Sequence, residues 1–266
     1  MPTMAEAIDE ALPLAKSAAE QGAKIIFLPE YAGGLKSEGR RIAPPSSHED
    51  THEFLNTMRG FARDNGVWVQ VGSVAIDGPD GKLINRGFML DDQGEISARY
   101  DKIHLFDVDL AEGAVYRESD TVCSGGEAVV YATPFANIGH TICYDLRFPG
   151  LFRDLAQAGA EILCCPAAFT KMTGEAHWHI LNRARAIENT RFVVSACAVG
   201  DVPGGGQTYG HSLIIDPWGK VLADGGAEPG IICAEIDLDL VQETASKVPS
   251  LTHDRDYSKP NDRSLI

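Results

Sequence analysis

A short uninterrupted apolar run, Ile25-Ile26-Phe27-Leu28, directly behind an amphipathic segment constrains this chain more than any other feature. Residues 4–21 place Ala7, Ile8, Ala11, Leu12, Ala15 and Ala19 at helical spacing, and Gly22 supplies a C-terminal stop. The run that follows is too short for a helix and does not alternate, which is the pattern of a strand buried on both faces. The order repeats: a helix over roughly 50–65 ends at Asn65-Gly66 and feeds a strand in VWVQVGSVAI. Hairpins are interspersed. INRGFMLDD and EISARYDKI flank a turn rich in Asp and Gly, EAVVYATPF pairs with ANIGHTICY, and HSLIIDPWGKVLAD folds on itself. Helices over about 149–158 and 175–189 alternate with strands in GAEILCCP and RFVVSACAVG. IICAEIDL predicts a last strand, and a helix starts near Asp239. Helices alternating with strands and hairpins predict a layered α/β sandwich with mixed sheets, in one domain over 1–266. There is no internal repeat, and Gly204-Gly205-Gly206 marks a flexible loop.

Hydrophobic residues at 44% provide enough material for a sizeable core. A net charge of −15, with no local Lys/Arg cluster, disfavours nucleic acid and anionic membrane surfaces as partners. The N-terminus carries Glu and Asp where a signal peptide needs basic residues, and no run approaches the roughly 18 apolar residues that span a bilayer. These features predict a soluble, cytoplasmic protein. Six cysteines are scattered without secretory context, so five of them read as reduced and buried and the sixth, Cys143, as the reactive one.

Cys143 is singled out because TICYDLRFPG reads as a strand that stops abruptly and turns towards a helix. Such a turn exposes a nucleophile and aims the backbone N–H of Tyr144 outwards as an oxyanion donor. The plainer reading is a small buried apolar residue, which most free cysteines are. A thiol needs a base or a cation beside it to act at neutral pH. Glu30 and Lys102 each follow an apolar strand, at the end where α/β folds gather active sites, and could supply both; singly, either could equally be solvated surface. Histidines compete as partners: His104, His140, His177, His179 and His211 all lie near motifs. His140, three residues before Cys143 on one strand, points to the opposite face. His177 and His179 stand about 200° apart around a helix, which is not metal spacing. No C-x-x-C, phosphate loop or dinucleotide fingerprint is present, so neither a metal nor a cofactor is expected.

Taken together these segments resemble the nitrilase superfamily of carbon-nitrogen hydrolases over almost the entire chain. FLPEY at 27–31 matches that family's glutamate block, YDKIHLFDVD at 100–109 its lysine block and ICYDLRFP at 142–149 its cysteine block. The resemblance implies that Glu30 is the general base and acid, Lys102 the oxyanion stabiliser and Cys143 the nucleophile. YRES at 116–119 matches a second glutamate block, so Glu118 orients Lys102 or the substrate. The segments 166–189 and 209–222 are similar to the branch of omega-amidases and the amidase repairing deaminated glutathione, and Cys143-Tyr144-Asp145 favours amidases over true nitrilases. The resemblance implies a four-layer α-β-β-α sandwich, homodimers or larger assemblies, and hydrolysis of the terminal amide of a small carboxylate-bearing molecule, a 2-oxo acid amide among them, through a thioester. Arg147, Phe169 and Thr170 are candidate substrate contacts by motif proximity; their structural alternatives are a helix-start ion pair and a core aromatic. One departure is expected to matter: family members begin with a strand before the first helix, and here Met1 falls almost at that helix. Two further readings stay open, a nitrile or N-carbamoyl substrate on the same site and a catalytically dead scaffold of the same fold.

Overall fold

The computed structural model describes residues 1–38, 41–110 and 115–258. The first segment is a helix because Thr3 and Glu6 cap it reciprocally: Glu6 N–H donates to Thr3 Oγ1 at 3.3 Å and Thr3 N–H to Glu6 Oε2 at 3.1 Å. This helix, α1 (Met4–Glu20), packs beside α2 (Glu53–Asn65), which stops at Gly66 in the left-handed region. Both lie on a first sheet of β1 (Ile25–Phe27), β4 (Ser46–Ser47), β5 (Trp68–Asp77), β6 (Leu83–Leu90), β7 (Ile96–Asp101) and β10 (Val122–Cys123). β1 runs parallel to β5, while β5, β6 and β7 are antiparallel.

A second sheet follows in the order β11 (Val129–Ala132), β12 (Asn137–His140), β13 (Ile162–Cys164), β14 (Phe192–Ser195), β17 (Leu213–Ile215) and β18 (Val221–Asp224). Its central β12, β13 and β14 are parallel and its flanks antiparallel, as short hairpins require. Helices α3 (Pro149–Gln157) and α4 (Lys171–Asn189) cover its outer face, where Phe152, Leu155, Trp178 and Ala186 meet Leu163, Val193 and Ile215. Its inner face, with Tyr131, Ile138, Ile162 and Phe192, packs against Met89 and Ala98 of the first sheet. The result is the expected α-β-β-α sandwich. Three small ribbons lie outside the sheets: β2 (Ser37–Glu38) with β3 (Arg41–Ile42), β8 (Asp107–Asp109) with β9 (Val115–Arg117), and β15 (Val199–Asp201) with β16 (Gln207–Tyr209). A last helix, α5 (Asp239–Lys247), buries Val241 in the inter-sheet core.

Three expectations need correction. Among the described residues β1 pairs with β5 alone, and Ile25 and Phe27 are half-buried where a strand covered on both faces was expected. The segment IICAEIDL at 231–238 forms no ladder, because no strand lies beside it to exchange hydrogen bonds among the described residues. An open cleft of about 1450 Å³, walled by α1, β1 and residues 225–238, separates the two. Finally, all six cysteines are free, yet Cys123 is only half-buried and Cys233 is exposed. No helix among the described residues is long and apolar enough to cross a membrane.

Candidate active site

Each site residue stands where a strand runs out of hydrogen-bonding partners. β1 is followed by Leu28-Pro29, and proline has no N–H to extend the ladder, so Glu30 turns off the sheet end. Lys102 follows the last residue of β7. Beyond β12, Thr141 uses both its N–H, at 3.0 Å, and its hydroxyl, at 2.8 Å, on the Cys164 carbonyl. Cys143 then donates its N–H to the Pro166 carbonyl at 2.9 Å and takes a left-handed φ of 49°. A non-glycine residue there is strained, and the strain turns the chain directly into the short 3-10 turn Cys143–Arg147. Tyr144, in the first turn of that element, has an N–H for which the turn itself offers no acceptor.

These ends converge on a buried charge cluster. Lys102 Nζ donates to Glu30 Oε1 at 2.9 Å and to Glu118 Oε1 and Oε2 at 3.0 and 2.9 Å. Glu30, Lys102 and Glu118 are 3%, 2% and 2% exposed, so their charges are out of water and depend on one another. Further donors complete the carboxylates: Asn85 Nδ2 at 2.9 Å on Glu30 Oε1, the Ala168 N–H at 2.8 Å on Glu30 Oε2, and the Phe106 N–H at 2.6 Å on Glu118 Oε2. Burial alone would lower the Lys102 pKa, but Glu118 and Glu30 outweigh it and hold the ammonium well above its usual value. Burial pushes the Cys143 thiol well up, the Glu30 charge adds to this, and Lys102 offsets only part. The resting group is therefore a thiol facing a carboxylate.

A second set of residues holds the turn: Asp145, to which the sequence assigned no structural part, and His104, which it named only as a competing partner of the thiol. Asp145 is fully buried and accepts the Tyr100 hydroxyl at 2.7 Å, the Ile142 N–H at 2.8 Å and the His104 N–H at 3.0 Å. His104 Nδ1 lies 2.7 Å from the same carboxylate, and its ring stacks on Phe148 with centroids 3.5 Å apart. The signal was present in the sequence as an acidic residue two positions beyond Cys143, inside the turn itself. His140 is buried between the sheets with Nε2 at 2.6 Å from Gln70 Nε2, turned away from Cys143 as the strand period requires. Burial lowers its pKa to about 4, so it stays neutral.

The family model for carbon-nitrogen hydrolases matches residues 2–246. The chain belongs to the carbon-nitrogen hydrolase family. A Synechocystis deaminated glutathione amidase is 40% identical over 257 residues, covering 95% of this chain and 93% of that protein. A Xenopus tropicalis omega-amidase is 34% identical over 248 residues, covering 93% and 89%. Among solved structures, a Saccharomyces cerevisiae member of branch 10 of the nitrilase superfamily superposes with a TM-score of 0.84 at 26% identity, over 97% of this chain and 93% of that one.

In this carbon-nitrogen hydrolase a small cavity of about 70 Å³ opens at Cys143, Glu30 and Lys102. Phe169 and Thr170 line it, together with Tyr144, Tyr116, Phe106 and Gln207. Arg147 stands one layer back: its guanidinium lies 5.4 Å from the Phe169 ring centre and 5.9 Å from that of Tyr144, and 3.3 Å from His177 Nδ1. The Gly204–Gly206 turn, expected to be a flexible loop, closes the β15–β16 hairpin against the cavity. Pro203 accepts the Ser37 N–H at 2.7 Å, and a side chain at Gly204 would collide with the Ser37 carbonyl. Close backbone approach, rather than mobility, explains that glycine.

Proposed function

We propose that this hydrolase is an amidase that releases ammonia from a small carboxylate-bearing amide, of the 2-oxo acid type, through a Cys143 thioester. The observation that carries the reading is the left-handed elbow that sets Cys143 at the cavity beside the Glu30–Lys102–Glu118 cluster. Because the resting sulfur is a thiol, attack requires Glu30 to take its proton as the sulfur adds to the carbonyl carbon. The oxyanion that forms falls to the Lys102 ammonium and the Tyr144 N–H. Collapse breaks the C–N bond as Glu30 returns the proton to the leaving nitrogen, giving ammonia and a thioester. Water, deprotonated by Glu30, then adds to the thioester; the C–S bond breaks, the acid leaves and the thiol is restored. Glu118 acts by holding Lys102 through both carboxylate oxygens. No step calls on a metal or an organic cofactor.

The names of the relatives, deaminated glutathione amidase and omega-amidase, support an amide at the far end of a small acid. Of the candidate substrate contacts, Phe169 and Thr170 line the cavity, and Arg147 backs that wall from behind Phe169 with its positive charge. A panel of 2-oxo acid amides, glutamine, nitriles and N-carbamoyl amino acids, scored for ammonia and acid, tests the reading. Turnover confined to nitriles or carbamoyl compounds overturns it, and no turnover on any compound supports the dead scaffold. We infer pairing into a homodimer through the outer side of α4, where Ile180 is 70% and the neighbouring Trp218 62% exposed; sedimentation of the chain checks this. Unpaired cysteines throughout support a reducing, cytoplasmic setting.

A further inference from the structure

Three side chains remote in sequence meet outside the site just described. His179 projects from α4, His211 sits in the turn before β17, and Asp224 ends β18. None of them lines the cavity at Cys143. The Asp224 carboxylate bridges the two imidazoles, with Oδ2 3.0 Å from His179 Nε2 and Oδ1 2.9 Å from His211 Nδ1. One ligand atom from each residue lies within 4.8 Å of the other two. Tetrahedral coordination at bond lengths of about 2.0–2.2 Å places ligand atoms about 3.3–3.6 Å apart. Small side-chain rotations therefore close this set around a cation.

The backbone under the cluster is fixed. His211 holds a left-handed φ of 53°, locked by its N–H on the Gly226 carbonyl at 2.6 Å and by Trp178 Nε1 on its own carbonyl at 2.7 Å. The Gly226 N–H donates to Asp224 Oδ1 at 2.9 Å, and the Tyr209 ring stacks on His211 at 4.6 Å. Strain held by such supports is a feature of ligand-binding positions, and outer hydrogen bonds of this kind orient metal ligands. All three side chains keep 26–35% of their surface in solvent, so an ion can enter without opening the fold. The net charge of −15 favours cations over anions there.

We propose that His179, His211 and Asp224 form a binding site for a zinc-type divalent cation that ties α4 to the β17–β18 hairpin. Two imidazoles and a carboxylate suit zinc over magnesium or calcium, and a water fills the fourth position. The ion is structural: α4 begins just after Phe169 and Thr170, so the tie steadies one wall of the cavity without joining the reaction. An aspartate shared by two histidines is also satisfied by hydrogen bonds alone, and metal binding separates the two.

The test uses the full chain, freed of metal with EDTA and titrated with Zn²⁺ by calorimetry, with Co²⁺ absorption reporting imidazole ligation. One saturable site per chain is expected. His211→Asn, chosen because asparagine tolerates a left-handed φ, and Asp224→Asn should each weaken it at least tenfold, and His177→Gln should leave it unchanged. Saturating Zn²⁺ should raise the melting temperature of the parent by about 5 °C or more at a hundredfold excess over Kd, and not that of the variants. If the turn variants unfold, His179→Gln on the helix surface makes the same comparison. No saturable binding, or binding of equal strength in the variants, places any captured zinc on the thiols and overturns the proposal.

Discussion

Two buried polar clusters of this fold are treated in opposite ways. At the strand ends, Glu30, Lys102 and Glu118 keep their charges out of water by pairing with one another and with nearby N–H groups. Between the sheets, Gln70, His140 and Tyr131 are as deeply buried, and burial holds His140 neutral, to about 4, and raises the Tyr131 hydroxyl. Buried charge is expensive unless compensated. The fold accepts that expense at the cavity, where the proposed reaction uses a carboxylate and an ammonium, and avoids it in the inter-sheet core. Substitutions in the first cluster should strike turnover, and those in the second should strike stability.

The largest effect expected is at Cys143. Cys143→Ala should remove turnover by at least about a thousandfold with a melting curve close to the parent's. Cys143→Ser should be nearly as inactive, since a carboxylate is a poor base for an alcohol. Cys164→Ala and Cys197→Ala remove thiols that burial pushes up to about 12, and should retain activity in whatever fraction stays folded. A Cys143→Ala enzyme that still releases ammonia, or a folded Cys164→Ala enzyme that does not, assigns the chemistry to the wrong thiol. Lys102→Met comes next. It leaves Glu30 and Glu118 buried without their shared cation, so it should lower stability by about 3–5 kcal/mol as well as stop turnover, read by urea unfolding. Unchanged stability would mean that the carboxylates do not depend on the ammonium.

Much of this was readable before any coordinates. Helix caps, turn residues and apolar runs are local signals, and they placed α1, α2, the β6–β7 hairpin and the β17–β18 hairpin close to where they lie. The strand ends carrying Glu30, Lys102 and Cys143 were legible for the same reason: each strand stops at a visible break in pattern. What stayed hidden was pairing across distance. Whether 231–238 becomes a strand depends on a neighbour, not on its own alternation. Asn85 on Glu30, Asp145 under the elbow and Asp224 between two histidines are contacts across 55, 41 and 45 positions, to Glu30, His104 and His179. No periodicity encodes such meetings.

The neutral cluster makes an acid-side prediction. A histidine at about 4 in the folded chain and 6.5 unfolded binds its proton mainly when unfolded. Its stabilising contribution is therefore fully present above pH 6.5 and is lost as pH falls towards 4, by about 3 kcal/mol at full extent. His52, also lowered to about 4 by burial, acts in the same direction. His140→Gln should lower stability at pH 7.5, through lost packing on Tyr100 and Tyr131, and should flatten the fall between pH 6.5 and 4. Parallel curves for parent and variant would show that His140 carries no share of the acid transition.

The smallest effect probes how the charged cluster sets the resting state of the sulfur. Burial is the main cause of the raised thiol pKa, the Glu30 charge adds to it, and Lys102 opposes both. Glu30→Gln keeps the size of the side chain and an oxygen at the Oε1 position for Asn85 and Lys102, loses the acceptor of the Ala168 N–H, and removes one negative charge. The thiol pKa should then fall, while turnover disappears with the base. A larger thiolate fraction does not carry over in full into faster alkylation, because a thiolate of lower pKa is a weaker nucleophile. With a Brønsted slope of about 0.4–0.5, somewhat more than half of the gain in thiolate, on a logarithmic scale, survives as a faster iodoacetamide rate below the pKa. The variant should thus be dead as an amidase and livelier as a thiol, with mass spectrometry assigning the label to Cys143. Alkylation that slows or stays the same would mean that the Glu30 charge does not govern the sulfur, and the division of labour between base and nucleophile would have to be redrawn.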